Sequence, residues 1–390
     1  MDDPCANLAK LTIDKAVVES AVLSDGVCRV NGSAHPVPGS DIRFSVYLPA
    51  PNRWSGRYYQ IGNGGFAGAI HLPTLDEGAR RGDAIAATDT GHRGHGFDAS
   101  WAPGNSVALA DYGWRSIKAT RDAAAALVGA YYGRAPIRHY FMGCSNGGRM
   151  ALMAAARWPD DWSGIIAGAP ANPWTRQFRN FGAIQYAMRA PGGWLGAAER
   201  TQAKLPAQKR ATLDAIIAAG YSPTAITAED WAYWIANPDT AAQSQLTFAE
   251  QSRAHLLGHF SDETLAGELD IKPGDLQGFH DRGGKILSYF GQSDPVIAPG
   301  LGVDWYRAVQ AATRGKTTDF YRLFIIPGMS HCQGGAAATS FGQSLDAPAV
   351  HQDREHDVRL ALEAWVERGI APAALKSEAR TKRTVIRPLR

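Results

Sequence analysis

A single serine between small residues marks the stretch of this chain with the clearest potential for chemistry. Residues 143–147 read Gly-Cys-Ser-Asn-Gly, with an apolar segment at 139–142 before them and a helical pattern at 148–158 after them. In this G-x-S-x-G pattern the serine occupies a sharp turn from strand to helix, which only small neighbours tolerate and which exposes its Oγ. We therefore predict Ser145 as a nucleophile for acyl transfer, with the backbone N–H of Asn146 as one donor to the oxyanion. The alternative is a glycine-rich turn with an exposed serine.

A second glycine-rich loop, Gly-Asn-Gly-Gly-Phe at 62–66, follows an earlier short strand at 56–61. Such a loop supplies the other oxyanion donor in this arrangement, because glycines let a backbone N–H approach the developing charge closely. Gly64 and Gly65 are both candidates for this donor. The loop also loosely resembles a dinucleotide-binding fingerprint, with Asp89 as the ribose-binding acid, but the spacing of its last glycine does not match.

A carboxylate and an imidazole follow the serine in the chain order that this chemistry uses, which is Ser, acid, His. Asp294 comes soon after a predicted strand at 285–290, and His331 soon after one at 319–326. Both are carboxyl ends of strands, where an open α/β sheet binds its ligands. We predict His331 as the general base, and Asp294 as the acid that orients its ring and stabilises its charged form.

Four other titratable residues compete for these roles. Asp270 and Asp275 are rival acids, but they lie in a stretch without predicted strands. Asp89 and His92 belong to the segment Asp-Thr-Gly-His, for which stabilisation of a turn is the simpler interpretation. None of the four combines the chain order with a strand-end position.

The four cysteines allow two disulfides in three pairings, and they are Cys5, Cys28, Cys144 and Cys332. Cys144 precedes the predicted nucleophile and Cys332 follows the predicted base. A formed triad would bring their Cα atoms within the roughly 7 Å that a disulfide needs. That bridge would hold nucleophile and base in register, and Cys5 would then pair with Cys28. The alternatives are four buried thiols, or a metal site of two Cys and a His, although no Cys-x-x-Cys spacing supports the latter.

The elements that must position these residues alternate between short apolar strands and helices. Residues 20–50 have the composition of antiparallel strands, and the later alternation predicts a mostly parallel sheet covered by helices, an α/β-hydrolase fold. Between 172 and 280 the alternation stops, and helical patches such as 198–219 replace it. We therefore predict a catalytic core of residues 1–171 and 281–390, with a short, mainly helical lid insertion at 172–280. The basic tail after residue 376 is expected to be a solvated extension or an edge strand.

Together these motifs resemble the tannase and feruloyl esterase family. The segments that carry the resemblance are Gly-Cys-Ser-Asn-Gly-Gly-Arg at 143–149, Ser-Asp-Pro at 293–295, His-Cys-Gln-Gly-Gly at 331–335, and three further stretches at 62–66, 89–92 and 167–171. The resemblance covers most of the predicted core and implies a Cys-Ser, Asp, His-Cys arrangement in which the two cysteines bridge. It also implies hydrolysis of esters of hydroxylated aromatic acids, by feruloyl or chlorogenate esterases, tannases or a hydrolase of mono(2-hydroxyethyl) terephthalate.

The predicted lid departs from the family pattern. Many members have a large lid with a calcium site and extra disulfides, whereas residues 172–280 contain no cysteine and no Asp-x-Asp-x-Asp-like run. We therefore predict no metal and no cofactor, with calcium implied by the resemblance alone. The lid carries four tryptophans that either stack on an aromatic acyl group or form small helical cores, namely Trp174, Trp194, Trp231 and Trp234.

The composition bounds the remaining classes of protein. With 45% hydrophobic and 20% charged residues the chain can bury a sizeable core, and its net charge of +3 is spread without a basic stripe for nucleic acid. The chain has no apolar run of about 18 residues, so no membrane span is predicted. The N-terminus lacks the basic and apolar segments of a signal peptide. Since two disulfides imply an oxidising compartment, we expect a secreted or periplasmic protein whose leader has been removed.

The sequence thus predicts a serine carboxylic ester hydrolase that cleaves feruloyl-type aromatic esters, as small-molecule substrates, through an acyl-enzyme. A tannase or a terephthalate-monoester hydrolase is the alternative within the family. Amide hydrolysis or acyl transfer would use the same triad. Outside these enzymes, the alternative is a catalytically inactive α/β-hydrolase that serves as a binding module.

Overall fold

A computed structural model describes residues 3–344, 349–379 and 382–389. Its main sheet has nine strands, which are β1 (Ala16–Ser24), β2 (Val27–Ala34), β3 (Ile42–Pro49), β4 (Arg57–Ile61), β5 (Ala84–Thr88), β6 (Arg138–Cys144), β7 (Gly164–Gly168), β8 (Lys285–Gly291) and β9 (Tyr321–Ile326). The spatial order is β1-β2-β3-β5-β4-β6-β7-β8-β9. The first three strands are antiparallel to their neighbours, and the six from β5 to β9 run parallel.

Helices connect the parallel strands and build the segment between β7 and β8. The α-helices are α1 (Pro4–Asn7), α2 (Leu72–Arg80), α3 (Ser106–Ala110), α4 (Ser116–Tyr132), α5 (Asn146–Arg157), α6 (Trp174–Arg189), α7 (Ala207–Ala218), α8 (Ala228–Asp230), α9 (Gln245–Ser252), α10 (Asp262–Leu269), α11 (Gln277–Asp281), α12 (Pro299–Ala312) and α13 (Val358–Arg368). Single π-helical turns precede α4 and follow α8 and α9.

The parallel part of the sheet is buried on both faces, as expected for parallel strands joined by helices. Side chains of α4, α5 and α12 join the core on one face, and those of α2 and α13 join the core on the other. Strand β6 shows the alternation, because Phe141 points to the first core while Tyr140 and Met142 point to the second. This arrangement, with the serine between β6 and α5, is the predicted α/β-hydrolase fold.

The structure corrects several predicted element bounds. The predicted helical patch at 198–219 is wrong in its first half, because α7 starts only after Pro206, which lacks a backbone N–H. Strand β1 was not predicted. It lies at the edge of the sheet with a bulge between Val18 and Ser20, so its pattern of apolar residues is weak.

The basic tail is neither a free extension nor a strand of the main sheet. Two further strands, β10 (Leu375–Ala379) and β11 (Lys382–Ile386), pair antiparallel in a separate two-stranded sheet. The chain then reaches the edge of β9 through one bridge between Phe324 and Pro388. Within the described ranges no helix is long and apolar enough to cross a membrane.

Candidate active site

Ser145 occupies a strained turn between β6 and α5. Its φ of +61° lies in the left-handed region that a serine rarely adopts. Hydrogen bonds on both sides hold it there: its N–H donates to Gly168 O at 2.9 Å, and its carbonyl accepts from the N–H groups of Arg149 and Ala171 at 3.1 Å. A strand, a sharp turn and a helix around this serine are the context that the G-x-S-x-G pattern requires.

Steric contacts explain why Gly143 and Gly147 flank the serine turn without side chains. A Cβ on Gly143 would lie 2.5 Å from the backbone of Gly147, so the turn closes only without that side chain. Gly147 in turn packs against Gly62, where an added Cβ would come within 2.6 Å of the Cα of Gly147. Three glycines therefore hold the serine turn directly against the loop at 62–66.

Gly147→Ala is expected to lower both the free energy of unfolding and kcat. Its Cβ would lie 2.9 Å from the carbonyl carbon of Gly62, so one of the two loops must move. Overpacking of this kind costs about 1–3 kcal/mol. The matched control is Gly129→Ala in α4, where nothing lies within 4 Å and where alanine is expected to add up to about 1 kcal/mol of stability. Denaturant unfolding and ester turnover of both variants check this, and a Gly147→Ala protein indistinguishable from wild type would contradict it.

The predicted acid and base contact each other. His331 Nδ1 lies 2.8 Å from Asp294 Oδ2, and Asp294 is completely buried. The other carboxylate oxygen, Oδ1, accepts the N–H groups of Val296 and Ile297 at 2.8 and 2.9 Å. A carboxylate beside Nδ1 favours the tautomer with the proton on that nitrogen, which leaves a lone pair on Nε2.

Both predicted disulfides are present. Cys144 and Cys332 bridge with Cα atoms 6.0 Å apart, and this bond places the loop of the histidine directly beside the serine turn. Cys5 and Cys28 bridge with a Cα separation of 5.5 Å and tie α1 to β2. Because the sulfur atoms are bonded to each other, the alternatives of four buried thiols and of a Cys-Cys-His metal site are wrong.

The predicted oxyanion donors differ from their neighbours in their backbone hydrogen bonds. In the loop at 62–66, the N–H of Gly62 donates to Met142 O at 3.0 Å and that of Phe66 to Gly96 O at 2.9 Å. For Gly64, Gly65 and Asn146, no backbone hydrogen bond from the N–H is found within the described part of the chain. Gly64 and Gly65 therefore both stay candidates for the second oxyanion donor, beside Asn146 at the start of α5.

Three buried side chains fix this loop, and sequence analysis did not identify their role. Asn63 Nδ2 donates to two backbone carbonyl oxygens at 2.7 and 3.0 Å. Tyr112 OH donates to Gly65 O at 2.9 Å, and His92 Nε2 lies 2.7 Å from Phe66 O. Burial lowers the pKa of His92, which keeps the ring neutral with its Nε2 proton on that carbonyl. Asn63 and His92 stand in segments singled out in the sequence, whereas nothing in the sequence indicates Tyr112.

Asp89 has a structural role, in agreement with its interpretation as a turn-stabilising residue. Its carboxylate accepts the N–H groups of Arg43 and Gly91, and Arg43 Nε donates to it at 2.8 Å. Burial raises the pKa of Asp89 to about 6, against the opposing effect of these donors. The loop at 62–66 leads to a helix only at Leu72, so the dinucleotide fingerprint, in which the glycine loop itself opens a helix, is not formed.

The rival acids have local partners. Asp270 accepts the N–H of Thr175 at the start of α6, and Asp275 accepts the N–H of Lys272. Neither carboxylate contacts His331. The residues that the structure describes contain no group of three or more His, Cys, Asp or Glu side chains arranged to hold a metal ion.

The four tryptophans of the 172–280 segment differ in exposure. Trp174 and Trp231 are fully buried, which places them in cores and excludes them as stacking surfaces for a substrate. Trp194 is 40% exposed. Trp234 is half-buried and stacks on Phe97 with ring centroids 6.4 Å apart.

The sequence matches the model of a family described as tannase and feruloyl esterase, over residues 28–216 and 244–389. An esterase of Xanthomonas campestris pv. campestris, described as uncharacterized, is 32% identical over 94% of this chain and 83% of its own length. Feruloyl esterase B of Aspergillus niger is 26% identical over 94% of this chain and 82% of its own. The crystal structure of feruloyl esterase B from Aspergillus oryzae covers 99% of this chain and 95% of its own, with a TM-score of 0.84 and 19% identity, which is a likeness of fold.

Proposed function

The chain belongs to the tannase and feruloyl esterase family and is a carboxylic ester hydrolase, and from this premise we propose that it cleaves esters of feruloyl-type aromatic acids through an acyl-enzyme on Ser145. The observation that carries the proposal is the bond from buried Asp294 to His331, with the Cys144–Cys332 bridge holding that histidine beside the serine turn.

In the proposed reaction, each of these groups acts once when the acyl-enzyme forms and once when water hydrolyses it. His331 Nε2 takes the proton of Ser145 Oγ as the oxygen attacks the ester carbonyl, and Asp294 stabilises the imidazolium that forms. The N–H of Asn146, with that of Gly64 or Gly65, would bind the oxyanion of the tetrahedral intermediate. Collapse of the intermediate breaks the bond to the alcohol, which leaves with the proton from His331. Water then attacks the acyl-enzyme by the same path, and releases the acid and free Ser145.

An aromatic acyl group is proposed because aromatic side chains stand beside the oxyanion loop. The backbone of Phe66 bonds to Gly96, which places the next residue, half-buried Phe97, close to that loop. Phe97 stacks on Trp234 of the 172–280 segment, so two incompletely buried rings contact each other near this loop, which supports an aromatic acyl group. Stacking with such rings adds about 0.5–1.5 kcal/mol per pair beyond burial of area. The names of the relatives, feruloyl esterases, agree with this choice.

The organisation and location follow from the same features. We propose that residues 172–280 are a lid over a core of 1–171 and 281–390, since the described elements of that segment are all helical. The two disulfides support a secreted or periplasmic enzyme, because such bonds persist in oxidising compartments.

The test is hydrolysis of methyl ferulate, methyl gallate, mono(2-hydroxyethyl) terephthalate and p-nitrophenyl acetate, with Ser145→Ala as the blank. We expect kcat/KM for methyl ferulate to exceed that for p-nitrophenyl acetate by about two- to tenfold, since one stacked ring contributes about 0.5–1.5 kcal/mol. A preference for the gallate or the terephthalate would keep the mechanism and replace the substrate. Turnover of p-nitrophenyl acetate alone would contradict the aromatic assignment, and no turnover at all would favour a binding module.

A further inference from the structure

The turn that carries the proposed catalytic acid is held from two sides. On one side, the Oδ1 atom of Asp294 accepts the N–H groups of Val296 and Ile297 at 2.8 and 2.9 Å. Those two N–H groups belong to the peptide groups whose carbonyls are those of Pro295 and Val296. The carbonyl oxygens of the same two peptide groups are hydrogen-bonded from the other side.

Three buried side chains of the 172–280 segment hold them. Gln245, the first residue of α9, donates through Nε2 to Pro295 O at 2.7 Å. Tyr221 OH donates to Val296 O at 2.6 Å. Gln177 of α6 donates to the same oxygen at 3.2 Å and to Tyr221 OH at 3.0 Å. All three side chains are at most 4% exposed, so water does not compete for these bonds.

We propose that Gln177, Tyr221 and Gln245 position the catalytic acid through these two peptide groups, an inference that rests on the proposed triad. A trans peptide is planar, with its C=O and N–H pointing in opposite directions. A donor on the carbonyl therefore fixes the direction of the N–H at the other end. It also polarises the peptide, which strengthens that N–H as a donor to Asp294. The lid segment thereby sets the orientation of the carboxylate that orients His331.

Burying the two glutamines costs free energy, which would be unnecessary if they served only to pack the 172–280 segment against the core. Gln177 and Gln245 are completely buried, and within the described residues their Oε1 atoms have no hydrogen-bond partner. A buried, unpaired amide oxygen is costly, and an apolar side chain of the same length would avoid that cost. What the glutamines add over such a side chain is the pair of donors directed at the acid turn.

The decisive variants are Gln245→Met and Tyr221→Phe, which remove a donor while keeping most of the packing. Their matched controls also remove a donor to a backbone carbonyl: Gln185→Met, which loses a bond to Ile235 O within the lid segment, and Tyr132→Phe, which loses one to Pro49 O. We expect each decisive variant to lower kcat by about 3- to 30-fold with KM within about twofold, as coupling energies within one hydrogen-bonded network predict. The controls are expected to keep kcat within about twofold.

A double-mutant cycle separates positioning from general destabilisation. With Asp294→Asn as background, phosphonylation of Ser145 Oγ by a fluorophosphonate, with loss of fluoride, is expected to be equally slow with or without Gln245→Met, because the acid that the glutamine positions is gone. The same fold-loss in both backgrounds, or decisive variants that keep kcat as the controls do, would overturn the inference while wild-type protein is still labelled at Ser145. Failure of wild-type protein to be labelled at Ser145 would instead overturn the proposed function, and the inference with it.

Discussion

Ser145→Ala is expected to reduce kcat for an aromatic ester by about 10⁴- to 10⁶-fold while leaving the fold intact. Without the Oγ no acyl-enzyme forms, and the only remaining route is attack by water at a site that still binds the ester and its oxyanion. Serine and alanine both carry a Cβ, so the backbone strain at a φ of +61° is the same in both proteins. The variant should therefore unfold at nearly the wild-type denaturant concentration. Initial rates on methyl ferulate, with denaturant unfolding alongside, measure both effects.

The control for losing a hydroxyl is Ser106→Ala. Ser106 is an exposed serine, and it is the first residue of α3, which precedes the turn of Ser145 in the chain. It is expected to keep wild-type turnover. A fluorophosphonate probe adds an independent readout, because it should label wild-type and Ser106→Ala protein but not Ser145→Ala. If Ser145→Ala retained more than about 1% of wild-type turnover, far above the residual activity that triad variants show, another residue would have to be the nucleophile.

Replacing Cys144 and Cys332 together with alanine is expected to be the most damaging change outside the triad. The bridge closes a separation of 188 residues, for which the chain-entropy relation gives about 5 kcal/mol of stabilisation. It is also the covalent link between the residue before Ser145, the proposed nucleophile, and the residue after His331, the proposed base. We expect kcat to fall by about 10- to 100-fold, since a displacement of about 1 Å between reacting groups can cost about 100-fold.

The second disulfide is the matched control. Cys5 and Cys28 are 23 residues apart, so their replacement is expected to cost about 3 kcal/mol. That bridge ties α1 to β2 rather than to the triad, and kcat should stay within about twofold at a temperature where both double variants are folded. Thermal unfolding and turnover, measured on both, separate stability from positioning. Full turnover without the Cys144–Cys332 bridge would mean that the histidine loop holds its place by other contacts.

Much of the proposed site was accessible from local sequence. Gly143 and Gly147 are required by the steric conditions of one turn, and a strand before the serine with a helix after it is a property of fewer than 25 consecutive residues. The positions of Asp294 and His331 followed from chain order and from strands that precede them. Once these three positions were assigned, the pairing of Cys144 with Cys332 required no further information, since each is the immediate neighbour of a triad member.

Contacts between distant segments were not accessible in this way. The order of the sheet, with β5 between β3 and β4, depends on pairings that no local pattern specifies. Tyr112 reaches Gly65 across 47 residues of chain, and a buried tyrosine in a helical stretch has no mark that distinguishes it from other core residues. Gln245 reaches Pro295 across 50 residues, in a segment whose sequence indicates only helices.

The sequence by itself therefore determined the fold class and the family, because the proposed nucleophile, acid and base each lie in a short motif whose backbone geometry is set by nearby residues. Only the tertiary structure showed which N–H groups of the loop at 62–66 donate to a backbone carbonyl, and which side chains of the 172–280 segment donate to the turn of Asp294. The reason is physical. The geometry of a short motif depends on residues close in the chain. A hydrogen bond between two distant loops depends on the packing of all the elements that bring those loops together.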